Sequence, residues 1–123
     1  MSNDGDVELI NYWPYPDEEK PSKIHARLEV KYQGEKVELK ADGNGPISAF
    51  VKALKTLGLP KFKLDTYEED SIGDTSKAKA VTFVTLKKSS SGEKFFGVGT
   101  HDNIDQAAVG AVVAALNNLL QNG

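Results

Sequence analysis

A repeated order of elements constrains this chain most. "EKVELKADGNGPISAF" and "EKFFGVGTHDNIDQAA" align at an offset of 58 residues, with Glu35 and Lys36 on Glu93 and Lys94, Val37 on Phe95, and Ala49 on Ala107. Each copy runs from a strand-like segment through a polar turn into a helical stripe. Ahead of the first copy, Ile24, Ala26, Leu28, Val30 and Tyr32 alternate with His25, Arg27, Glu29 and Lys31, the pattern of a strand with one wet face. "QGE" turns it back into Lys36 to Ala41, which alternates in the same way, so the two segments predict an antiparallel hairpin. Ile47, Phe50, Val51, Leu54 and Leu57 then keep helical spacing until Gly58 and Pro60 end it. Val7 to Trp13 reads as a first strand, broken by the proline-rich loop "WPYPDEEKPS".

The second half follows the same plan. Phe62, Leu64 and Thr66 predict a strand leading into a polar, acidic loop, "YEEDSIGDTSK", and Ala78 to Lys87 predicts a long strand that is apolar on both faces. After "KSSSGEK" come a strand, Phe95 to Thr100, and a long helix, Ile104 to Leu119, whose alanine row Ala107, Ala108, Ala111 and Ala115 predicts close packing on a sheet. The expected fold is α+β: two pseudo-symmetric βββα units, about 7–58 and 61–121, with antiparallel sheets packed on two helices. Residues 1–6 are expected as a disordered tail and 7–121 as one domain. Each helix covers one face of its sheet, and the doubly apolar strand predicts a partner on the other.

Composition narrows the function. The chain has 123 residues, 39% of them hydrophobic, and no cysteine, which rules out disulfides, thiolate metal sites and cysteine nucleophiles and favours a cytoplasmic setting. Its net charge of -3, without a basic cluster, argues against nucleic-acid binding, and no apolar run approaches the roughly 18 residues of a membrane span. His25 and His101 have no second histidine at ligand spacing and read as surface residues. Glu68, Glu69, Asp70 and Asp74 read as an exposed acidic loop in preference to a hard-cation or acid–base site. No catalytic residue, metal or cofactor is expected.

The turn Gly43-Asn44-Gly45-Pro46 is the one motif with chemical content. Read as Gly43-x-Gly45-x-x-Ser48 with Asp65 beyond, it fails as a dinucleotide fingerprint: Ser48 stands where close packing wants glycine or alanine, the strand before it alternates, and the chain is short. As a helix start it offers the N–H groups of Ile47 and Ser48 to a small anion such as a carboxylate. Plain capping by Asn44 is the alternative.

"DGNGPISAFVKAL", "LDTYEEDSIGDTSKAKAVTFV" and "GVGTHDNIDQAAVGAVVAALNNL" together resemble the C-terminal regulatory (LeuA-type dimer) domain of 2-isopropylmalate synthase, to which a citramalate synthase domain is related. The resemblance implies a homodimer of paired βββα units that binds an amino-acid effector, leucine in the first enzyme and isoleucine in the second, and inhibits a distant catalytic barrel. That barrel's metal needs closely spaced histidines, so a regulatory module alone is expected here. Carried over by position, the effector-binding residues are Asn44, Gly45, Ile47 and Ser48 at the turn, Leu64, Tyr67 and Ser71, and Ala78 with Ala80 at the next strand. Two departures bear on effector identity: the extra polar residues of "YEEDSIGDTSK", and Ser48 in place of a frequent alanine or aspartate. Two alternatives stand beside this reading, a ligand-free dimerisation module and a small acid–base enzyme using the Glu68 to Asp74 segment.

Overall fold

The computed structural model describes residues 6–73 and 78–122. Of the expected tail only Asp6 is among them, and residues 74–77 of the expected acidic loop lie outside the described residues. The chain divides into two compact units between Leu59 and Pro60.

In the first unit, strands β1 (Val7–Pro16), β2 (Ile24–Tyr32) and β3 (Glu35–Gly43) form an antiparallel sheet in that order, followed by helix α1 (Pro46–Lys55). Gln33 and Gly34 both take positive φ, 54° and 80°, the conformation of the tight turns whose twist matches a hairpin. This turn pairs Tyr32 with Glu35 and sets the register of the ribbon. α1 packs on β2 and β3, where Ala26, Leu28, Val30 and Leu39 are buried along with Phe50, Val51 and Leu54. A ten-residue helix is marginal alone, so this apolar contact carries its stability. Tyr12 ties β1 to the helix: its ring meets Phe50 edge-on at 5.3 Å, and its hydroxyl donates to the Pro46 carbonyl at 3.1 Å.

β1 extends past the expected break. Pro14 and Pro16 pair with Ala26 and Ile24, which is possible because β1 is an edge strand and a proline there forfeits no ladder bond to a further neighbour. The remaining connection is pinned: the Asp17 N–H donates to the Lys23 carbonyl at 2.8 Å, and the Asp17 carboxylate accepts from the N–H groups of Glu19 and Lys20.

The second unit repeats the plan with β4 (Phe62–Ile72), β5 (Lys79–Lys88), β6 (Lys94–His101) and α2 (Ile104–Asn122), the sheet again antiparallel in chain order. The expected loop from Tyr67 is strand as far as Ile72, with Glu68, Glu69 and Asp70 paired opposite Phe83, Thr82 and Val81. A long partner strand outweighs the weak strand preference of these acids. A bulge at Asp65 also shifts the register, so Tyr67, not Thr66, shares a face with Leu64.

α2 lies on β5 and β6. Thr82, Val84 and Leu86 are buried on that side. Gly97 and Gly99 bring the backbones together: a Cβ on Gly99 would stand 2.0 Å from the Ala107 carbonyl oxygen, and one on Gly97 2.2 Å from that of Ala111. The alanine row is therefore the helix side of a close backbone approach. On the opposite face of the sheet, Phe83 pairs with Val98 and Thr85 with Phe96. Burial of β5 on both sides holds for Val81 and Thr85, whereas Phe83, Phe96 and Val98 keep 44%, 65% and 54% of their surface exposed. The single helix of the unit covers only the other face.

Candidate functional site

The two helix starts differ in a way that matters for anions. At α1 the N-cap is Gly45, extended at φ −167° and ψ 171°, with Pro46 behind it, no capping side chain and no acid in the first turn. The expected Asn44 cap does not form, because proline at the first helical position puts the cap on Gly45. Among the described residues, the Ile47 and Ser48 N–H groups thus have no capping side-chain acceptor at the positive end of the helix dipole. At α2 the same groups are satisfied. The Asn103 side-chain carbonyl accepts from the N–H groups of Asp105 and Gln106 at 2.8 and 3.1 Å, and Asp105 adds a negative charge to the first turn. An incoming carboxylate is favoured at the first start and repelled at the second.

Asn44, Gly45, Ile47 and Ser48 are contiguous at the α1 start, with Asn44 exposed and the other three half-buried. In the second unit, the pairs Leu64 with Leu86, Tyr67 with Val84, and Ser71 with Ala80 place Leu64, Tyr67, Ser71 and Ala80 on the α2 face of the sheet. Ala78 lies outside that set, exposed and one residue ahead of β5. The Tyr67 hydroxyl donates to the Glu69 carboxylate. Burial, reinforced by the carboxylates of Glu69 and Asp105, pushes the Tyr67 phenol well above its usual range and keeps it a donor at neutral pH. Among the described residues, no group of three or more histidine, aspartate or glutamate side chains is placed to hold a metal ion, and no helix is long and apolar enough to cross a membrane.

The profile of the LeuA allosteric (dimerisation) domain matches residues 7–120. The chain belongs to this family. It is 34% identical to the 2-isopropylmalate synthase of Clostridium acetobutylicum over 100 residues, 81% of this chain and 18% of that protein. Against the Brucella suis 2-isopropylmalate synthase it is 35% identical over 118 residues, 95% of this chain and 21% of the relative. The Saccharomyces cerevisiae 2-isopropylmalate synthase shares 32% over 99 residues, 77% and 16% of the two chains. This LeuA domain thus spans about a fifth of the length of the curated relatives it matches.

One cluster of the LeuA domain escaped the sequence reading. His25, on the sheet face away from α1, reaches Asp17 through Nε2 at 2.7 Å and Asp42 through Nδ1 at 2.5 Å, while its ring tilts over Tyr15. The Lys23 ammonium stands 3.5 Å from the same Asp42. Hydrogen bonds to the Asp17 and Asp42 carboxylates raise the His25 pKa above its usual 6.5, against a smaller desolvation effect, and the bond that His25 donates is the main reason that Asp17 sits at about 2. The hairpin register contains half of this cluster, since pairing Tyr32 with Glu35 forces His25 opposite Asp42. Asp17 arrives from the connection, whose path no local pattern encodes.

The cluster has a pH signature. The raised His25 value supplies stability that is fully present below 6.5 and is lost as pH rises through the folded value. The depressed Asp17 value supplies stability that is present above 3.8 and lost as pH falls toward about 2. The connection at 17–23 is therefore expected to hold best between 3.8 and 6.5. His25→Gln should flatten the alkaline limb of a plot of Tm against pH, and a limb identical to that of the parent chain would count against the assignment.

Proposed function

We propose that this chain is the leucine-sensing module of a 2-isopropylmalate synthase, binding leucine as feedback inhibitor of leucine biosynthesis and acting as a homodimer joined to a catalytic barrel. The observation that carries the reading is the uncapped α1 start within a LeuA domain whose second helix start is capped. The leucine carboxylate accepts from the N–H groups of Ile47 and Ser48. Within the second unit, taken by itself, the family resemblance carries over Leu64, Tyr67, Ser71, Ala78 and Ala80 as effector-binding positions. Leucine is preferred to isoleucine because the relatives above are named 2-isopropylmalate synthase. Regulation follows if leucine binds one of two packed arrangements more tightly than the other.

Thermal melts with leucine, isoleucine and valine test this reading. Leucine at a hundred times its Kd should add about 2.7 kcal/mol to the stability, with smaller gains from the other two. No shift with any of them would contradict sensing and leave a ligand-free dimerisation module.

The apolar face bearing Phe83, Phe96 and Val98 is the surface we assign to the second copy. Three large apolar side chains exposed together on one sheet face, in a family described by its dimerisation, support the assignment. Phe96→Glu buries a charge in that interface and should convert the dimer to a monomer in sedimentation. A dimer that survives both Phe96→Glu and Val98→Glu would place the interface elsewhere.

A further inference from the structure

The first unit carries a cleft lined by basic side chains. Lys20, Ser22 and Lys23 from the connection between β1 and β2, Asp42, Gly43 and Asn44 at the end of β3, and Lys52 on α1 line an open cleft of about 300 Å³. Three lysines line it, two from the connection and one from α1, in a chain whose net charge is -3. Its one carboxylate, Asp42, is engaged by His25 and Lys23, whereas Lys20 and Lys52 have no carboxylate partner among the described residues. The backbone that presents Lys20 and Lys23 is fixed in advance: the Lys23 N–H donates to the Lys20 carbonyl at 2.9 Å, and Asp17 anchors both ends of the connection. The backbone share of the ordering cost is thereby met before binding, and the lysine side chains supply the rest.

The donor set selects the anion. Lysine binds phosphate as a point charge, and three lysines about one cleft suit a multiply charged anion better than a single carboxylate. Ser22 and Asn44 add neutral donors. The cleft, about 300 Å³, leaves room for two linked phosphates, whose several negative charges can engage all three lysines. We propose that this cleft binds a diphosphate group, either free or as the end of a nucleotide. The site stands apart from leucine sensing and shares only Asn44 with the positions proposed for it.

The test is a titration of the full chain with inorganic pyrophosphate and, separately, with adenosine diphosphate, at low salt without divalent cations, followed by amide chemical shifts. Shifts centred on Ser22, Lys23, Gly43 and Asn44 are expected, and Lys20→Gln and Lys52→Gln should each weaken binding about tenfold. Affinity should also fall as salt is raised. Tighter binding of the nucleotide assigns the group to a nucleotide, and equal binding assigns it to free diphosphate. Absence of shifts with both probes, or unchanged affinity in the Lys20→Gln and Lys52→Gln double variant, overturns the proposal. Tyr67→Ala separates the two sites, because it should abolish the response to leucine and leave the pyrophosphate titration as it was.

Discussion

Gly99→Ala is expected to cost about 3 kcal/mol and to lower the Tm by roughly 10 °C. The added Cβ would meet the Ala107 carbonyl oxygen at 2.0 Å and the Ala111 nitrogen at 2.6 Å. Both are backbone atoms of a 19-residue helix and cannot swing aside as the end of a side chain can. Relief requires α2 to lift from β6, which would open the layer over Thr82, Val84 and Leu86. Gly97→Ala should behave alike, since its Cβ would meet the Ala111 oxygen at 2.2 Å and the Ala115 nitrogen at 2.4 Å. Gly45→Ala is the control: a Cβ there meets nothing within 4 Å, and the extended φ suits any residue. Urea unfolding of the three variants decides the matter. A Gly99→Ala chain within about 0.5 kcal/mol of the parent would show that the sheet and helix are not in the close contact described.

Gly45→Asp should do the opposite to stability while abolishing effector binding. Space around the position admits the side chain, and an aspartate at the N-cap supplies the missing acceptor and complements the dipole. The gain over glycine is about a few tenths of a kcal/mol. The leucine carboxylate, however, then meets occupied N–H groups and a like charge. Two hydrogen bonds to a charged group are worth about 1.5 kcal/mol or more each, so their loss weakens leucine at least about a hundredfold. A more stable protein that no longer responds is a result that misfolding cannot imitate.

Much of this architecture is legible along the chain because its signals are local. The hairpin from Ile24 to Ala41 follows from strict alternation around a two-residue turn, and both helices follow from the spacing of their apolar stripes. What escaped was decided by neighbours distant in the chain. Pro14 and Pro16 stay in β1 because that strand lies at the sheet edge, and Glu68 to Asp70 stay in β4 because β5 runs alongside them. The bulges at Ile10 and Asp65 leave no pattern, so the facing of Tyr67 could not be read from parity with Thr66. Two features of the sites were within reach. Pro46 at the first helical position marks Gly45 as the cap, and the hairpin register sets His25 against Asp42.

Calorimetric titration of leucine into the parent chain and into Gly45→Asp, side by side, tests the central claim most directly. The account predicts saturable heat with the parent, and none with a Gly45→Asp chain that melts at the same temperature or higher. Equal leucine affinity in the two proteins would contradict it, because the effector carboxylate would then not be held at the α1 start.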